Sequence, residues 1–115
     1  MLKVRSIYDQ NNIKSWKGDL NVGDLCEKGY QLRPHIVWFG EDVPMIPKAI
    51  SVCEKADVLV IVGTSMQVYP AASLLNYIPV NTSVFYIDPN PATLNYPNLT
   101  VIPEPASIGV LKLDL

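Results

Sequence analysis

Three shortages narrow what this chain can be. It has one histidine, His35, and two cysteines, Cys26 and Cys53, too far apart to form a C-x-x-C pair or a dense framework. That argues against a disulfide scaffold and against a metal assignment, and Cys53 reads as part of a helix face. Any acid–base scheme that needs an imidazole must use His35 or look outside the chain. Basic residues are also few, with nine Lys and Arg against eleven Asp and Glu and a net charge of −2. Nothing here attracts a phosphate backbone in bulk, so no direct nucleic-acid binding is expected. No apolar run reaches the roughly 18 residues of a membrane span. The opening Met1-Leu2-Lys3-Val4-Arg5-Ser6 has no apolar stretch behind its basic residues. The expectation is therefore no membrane contact and a cytoplasmic location. Internal repeats and low-complexity tracts are missing as well.

What is present is largely apolar. A hydrophobic share of 49% with 17% charged residues over 115 positions describes one small, interior-rich globular piece. For so short a chain, some of that apolar surface should want a partner. The organising stretch is Val58-Leu59-Val60-Ile61-Val62 running into Gly63-Thr64-Ser65. Five consecutive apolar residues suit a strand buried on both faces, as parallel strands are. Its following loop would then reach the carboxyl edge of an open α/β sheet, where ligands bind. Glycine admits a close backbone approach, and Thr64 and Ser65 offer hydroxyls and amide N–H groups to phosphate or ribose oxygens. An ordinary strand–loop junction is the alternative, and the residues alone leave it open.

Along the chain, residues 1–31 are polar and rich in turn formers, as in Asp9-Gln10-Asn11-Asn12 and Val22-Gly23-Asp24. They read as a connector, with a short strand near Lys3–Tyr8 and no packed layer. His35-Ile36-Val37-Trp38-Phe39-Gly40-Glu41 reads as a strand closed by glycine, with Trp38 and Phe39 on opposite faces if it is regular. A helix is expected over Lys48–Ala56, a second over Ala71–Ile78 with Pro70 as its first residue, and strands over Val84–Ile87 and Leu99–Ile102. Helical spacing returns at Ile108–Leu115. If the strands are parallel neighbours, Gly63-Thr64-Ser65, Asp88-Pro89-Asn90 and Pro105-Ala106-Ser107 gather at one edge. Asp88 could accept ribose hydroxyls there, or simply start a turn before proline. His35 reads as structural, and Glu41 and Asp42 as a solvated loop.

These residues closely resemble the sirtuin family. R-P-H-I-V-W-F-G-E (Arg33–Glu41), G-T-S (Gly63–Ser65), V-Y-P-A-A (Val68–Ala72) and P-A-S (Pro105–Ser107) occur in the order and spacing of the carboxyl-terminal half of a bacterial NAD-dependent protein-lysine deacylase. The W-F-G-E form is similar to a bacterial class that includes desuccinylases. The resemblance covers roughly Gly23 to Ile108. It implies an α/β fold, half of a Rossmann-like, three-layer NAD-binding domain with a mostly parallel sheet and flanking helices. Residues 32–115 would form that half, and residues 1–31 would be the remnant of a small zinc-module region.

By the same resemblance, Gly63, Thr64 and Ser65 contact the NAD phosphates and nicotinamide ribose. Asp88, Pro89 and Asn90 hold the adenosine ribose, and Ala106 lies near the adenine. The Val37 carbonyl accepts a bond from the acyl-lysine amide of a protein or peptide, and Phe39 walls the lysine tunnel. Gly40, Glu41 and Val68 pair with the substrate backbone, which adds as a strand.

The departures are equally specific. The family's amino-terminal glycine-rich loop, T-Q-N-x-D segment and catalytic H-G histidine are absent, and His35 belongs to R-P-H instead. Only Cys26 stands where half of a four-cysteine zinc module would be, so no zinc is expected. No catalytic residue is assigned, and the isolated chain is expected to be inactive, needing the missing amino-terminal half or associating with itself. A non-catalytic NAD- or peptide-binding module, or the complementing subunit of a split deacylase, is the alternative.

Overall fold

The computed structural model describes residues 3–114. The chain divides into two compact units on either side of the Asp42–Val43 link.

In the first unit, β1 (Lys3–Ser6), β2 (Ile13–Ser15) and β3 (Leu32–Pro34) form an antiparallel sheet in the order β2-β1-β3. Val4 lies opposite both Lys14 and Pro34. Strand alternation explains the burial: Val4 and Ser6 face inward, while Lys3 is exposed and Arg5 half-buried. Val4, Cys26 and Leu32 make a small core that Trp16 and Leu20 pack against.

The segment expected to be an unpacked connector therefore belongs to a packed sheet, and its unit runs on through Asp42. The turn clusters do form loops, but the Gln31 side chain satisfies their backbone groups. Its amide nitrogen donates to the Asn21, Asp24 and Leu32 carbonyls, and its oxygen accepts from Gly23 N–H at 2.8 Å.

The strand expected over His35–Glu41 is not formed. The sheet ends at Pro34, and the chain turns with Glu41 N–H donating to the Trp38 carbonyl at 3.1 Å. Ile36, Val37, Trp38 and Phe39 are all exposed, so no sheet face exists to divide Trp38 from Phe39.

The second unit carries β4 (Val58–Val62), β5 (Ser83–Ile87) and β6 (Leu99–Ile102), all parallel, in the order β4-β5-β6. Leu59, Ile61, Val84, Tyr86 and Leu99 share one face with α1 (Ile46–Cys53) and a 3-10 segment at Ala71–Tyr77. Helix α1 begins earlier than expected because Pro47 fits its first turn, where a missing N–H costs no intrahelical bond. The crossover after β4 is 3-10 rather than α-helical. Pro70 precedes it at the capping position, and Ser73 bonds back three residues to the Pro70 carbonyl through both its N–H and its hydroxyl.

The opposite face is covered near its carboxyl end by α2 (Ala106–Gly109), which a 3-10 turn continues over Val110–Lys112. The expected helix at Ile108–Leu115 thus starts earlier and is shorter, and Leu115 lies outside the described residues. Gly109 makes this contact possible, since a Cβ there would sit 2.3 Å from Ile87 Cγ2 and 3.3 Å from Ile102 Cγ2. Helices on both faces of a parallel sheet give the expected three-layer α/β architecture. Among the described residues no helix is long and apolar enough to cross a membrane.

Candidate functional site

Strand direction builds the candidate site. In register, Val62 lies beside Ile87 and Ile87 beside Ile102, so the three parallel strands end level. Gly63-Thr64-Ser65 and Asp88-Pro89-Asn90 consequently leave the sheet along one rim, the carboxyl edge where open α/β sheets bind ligands, and Pro105-Ala106-Ser107, the start of α2, follows β6 there after Pro103 and Glu104. The ladder continues into the loops: Gly63 N–H donates to the Ile87 carbonyl at 2.9 Å, and Asp88 N–H to the Ile102 carbonyl at 3.3 Å. Gly63 then turns the chain with φ of 61°, in the left-handed region that a side chain would resist.

Within the rim, Thr64 Oγ1 accepts Met66 N–H at 3.2 Å, and Met66 itself has φ of 56°. A left-handed methionine is uncommon and marks a backbone held by its surroundings. Asp88 Oδ1 accepts Asn90 N–H at 2.8 Å, so the turn-forming reading of Asp88 is realised with one carboxylate oxygen. Ser65, Pro89, Asn90 and Ala106 are exposed, while Thr64 and Asp88 are half-buried. Beneath them Tyr86 is fully buried. Its hydroxyl donates to the Thr64 carbonyl at 2.7 Å and accepts Ala92 N–H at 3.0 Å.

Beside β4 lies an apolar cavity of about 230 Å³, whose lining includes Ile61, Val62, Thr64, Met66, Val68 and Leu74. Val68 is half-exposed at its margin. So apolar a lining does not suit phosphates, which leaves polar recognition to the rim loops.

The loop Val37–Glu41 belongs to the first unit and is braced from within it. Glu41 was expected to be solvated. Instead its carboxylate accepts from both terminal nitrogens of Arg33, from Arg5 Nη2 at 3.4 Å and from Trp38 N–H at 3.0 Å. The Trp38 amide, followed by the Arg33 guanidinium, holds the carboxyl below its usual pKa. Arg33 also lies over the Trp38 ring, 5.9 Å from its centre. This bracing presents Phe39 at 91% exposure, next to exposed Val37 and Gly40. His35 is exposed on the same loop, its N–H held by the Lys3 carbonyl at 3.0 Å.

The structure therefore brings Gly63, Thr64, Ser65, Asp88, Pro89, Asn90 and Ala106 to one rim, with Val68 a few residues beyond it. Val37, Phe39, Gly40 and Glu41 form a separate braced loop. Sequence reasoning missed Arg5 and Arg33 as the braces of that loop, and Tyr86 and Gly109 beneath the rim. The only local signal was Arg33 preceding Glu41 in one short segment. Among the described residues no three His, Cys, Asp or Glu side chains are grouped to hold a metal ion, and Cys26 and Cys53 are buried free thiols.

The sequence profile of the Sir2 family matches residues 2–70. An NAD-dependent protein deacylase of Helicobacter pylori is 48% identical over 107 residues, covering 92% of this chain and 47% of the relative. Another, from Bacteroides thetaiotaomicron, is 46% identical, covering 95% of this chain and 48% of the relative. The chain thus spans about half the length of the curated relatives it matches. A crystal structure of a Sir2 homologue in complex with NAD superimposes with a TM-score of 0.69 at 31% identity, over 86% of this chain and 41% of that one. With a profile match over more than half its length, the level rim of a three-layer α/β unit and relatives of nearly 50% identity, this chain belongs to the Sir2, or sirtuin, family.

Proposed function

We propose that this chain supplies the carboxyl-terminal part of an NAD-dependent protein-lysine deacylase: half of the dinucleotide site and a peptide-binding loop. The observation that carries the reading is the level ending of three parallel strands, which sets three polar loops along one rim. Those loops fit a dinucleotide chemically. They offer amide N–H groups and the Thr64 and Ser65 hydroxyls for phosphate and ribose oxygens, and Asp88 as an acceptor for ribose hydroxyls. The charged side chains in the three connections are Asp88 and Glu104, both carboxylates, so pyrophosphate recognition falls to neutral donors. NAD, when bound, would supply the ADP-ribose that accepts the acyl group and would release nicotinamide.

The chain's own work is binding and orientation. Gly63, Thr64 and Ser65 are assigned to the phosphates and nicotinamide ribose, Asp88, Pro89 and Asn90 to the adenosine ribose, and Ala106 to the adenine. The exposed apolar run Ile36–Phe39 suits the aliphatic stem of an acyl-lysine, with the main chain of Val37–Glu41, and Val68 separately, meeting the peptide backbone. No residue here is assigned as the general base. Its absence lowers the rate on the order of 10²–10⁴-fold, so the isolated chain is predicted to bind and not to turn over. Calorimetry with NAD, ADP-ribose and an acyl-lysine peptide, run beside a deacylation assay, tests this. Robust turnover by the chain alone, or no binding of any of the three, would sink the reading.

A second reading, that the chain completes a split enzyme or pairs with itself, rests on β4. Among the described residues that strand bonds only to β5; Val58 and Val62 remain partly exposed, and Val62 borders the apolar cavity. Activity regained on mixing with an amino-terminal sirtuin fragment would support it. A strictly monomeric chain that no such fragment activates would refute it.

A further inference from the structure

Resting on the nucleotide reading above and deepening it, we propose that Tyr86 is a positioning residue. Its buried hydroxyl locks the loop after β4 to the loop after β5, so that both meet a nucleotide as one preset surface. The side chain is wholly inaccessible, so any effect on a nucleotide must pass through the groups it holds. If apolar burial were its whole purpose, phenylalanine would serve. Instead the hydroxyl uses its donor on the Thr64 carbonyl, at 2.7 Å, and its acceptor on Ala92 N–H, at 3.0 Å. Those two main-chain groups belong to different rim loops. The resulting relay, amide to hydroxyl to carbonyl, is one in which each bond polarises the next.

Peptide geometry turns this contact into an effect at the surface. In a trans peptide the C=O and the following N–H point in opposite directions. Fixing the Thr64 carbonyl inward on Tyr86 therefore fixes the Ser65 N–H outward, at an exposed position on the rim. That N–H is one of the donors assigned to a phosphate or ribose oxygen. By the same rule, holding Ala92 N–H inward turns the Pro91 carbonyl outward beside Asn90. The left-handed Met66 and the Thr64 side-chain bond to its N–H confine the turn further.

The molecule contains its own control. Tyr96 also donates its hydroxyl to a carbonyl, that of Pro79 at 2.8 Å, but both residues lie before the strands, at the opposite edge of the sheet. Tyr86→Phe and Tyr96→Phe each remove one phenol oxygen without changing ring volume. The full chain and both variants would be titrated with ADP-ribose by calorimetry, with thermal denaturation and amide hydrogen exchange measured alongside. We expect Tyr86→Phe to weaken ADP-ribose about tenfold or more and to speed exchange at Ala92, since the buried partners lose their hydrogen bonds. Tyr96→Phe should lower thermal stability and leave affinity unchanged. Equal affinity in Tyr86→Phe, or equal weakening in both variants, overturns the proposal. If the unaltered chain binds no ADP-ribose, the nucleotide reading fails. Unchanged exchange at Ala92 in Tyr86→Phe would then refute the loop lock on its own.

Discussion

The two units solve the same problem with different means. Residues 43–115 bury Val84, Tyr86 and Ile87 completely in a parallel sheet, and apolar burial of about 1.5–3 kcal/mol per large side chain holds them. Among the described residues up to Asp42 three core positions are buried, Val4, Cys26 and Leu32, and the unit leans on side-chain hydrogen bonds and ion pairs: Gln31 across its loops, Lys14 with Glu27 at 2.7 Å, Arg33 with Glu41. The parallel unit places its candidate residues by strand direction, the antiparallel one by charge. A rim set by strand direction should withstand pH and salt that loosen a loop held by charge.

Changes can break that comparison at graded strengths. The largest effect is expected from Ile87→Ala, which removes a fully buried side chain and should cost about 2–5 kcal/mol. Chemical denaturation followed by NMR should show the loss in residues 43–114. Leu32→Ala should cost less, about 2 kcal/mol, because a three-residue core leaves little packing to lose. Its signature is loss of dispersed signals confined to residues 3–42, and equal loss in both units would contradict the division drawn here.

Acidification should act on the first unit. Glu27 is held at about 2, chiefly by its bond to Lys14 and then by Asn12, and Glu41 is also held below its usual value. Carboxyls depressed in the folded state stabilise it fully above their unfolded pKa, near 4.5, and lose that contribution as pH falls toward 2. Signals of residues 3–42 should therefore weaken across that window, more so in low salt, where these exposed pairs matter most. Unchanged stability of this unit at pH 2.5 would contradict the role given to charge. The smallest effect belongs to Lys112→Met. It removes an exposed pair with Glu104 at 2.7 Å and should shift stability by no more than about 0.5 kcal/mol in the same denaturation experiment.

How legible each region was follows from the same contrast. Val58–Val62 and Leu99–Ile102 stand in the structure with the bounds read from their apolar runs, and β5 starts only at Ser83 instead of Val84. Continuous apolar runs carry that signal because both faces of a parallel sheet are covered. Once the strands were parallel, the position of the rim loops followed. Of the antiparallel sheet, the strand near Lys3–Tyr8 was legible and stands as β1, but its partners were hidden because strands of three residues show too little alternation, and because Gln31 satisfies the polar loops from a distance in sequence. The loop at His35–Glu41 misled for the opposite reason. Its aromatic and β-branched residues look like a strand, yet Arg5, far away in the chain, helps Glu41 fold them outward. Tyr86 sat inside a recognisable strand, but nothing nearby marked the two partners of its hydroxyl.

Gly109 sets the height of α2 above the sheet. A single methyl at that position would collide with Ile87 and jack the short helix off its seat, lifting Ala106 out of line with the other two loops. Anyone transplanting this rim onto another scaffold must carry that hidden notch along with the visible loops.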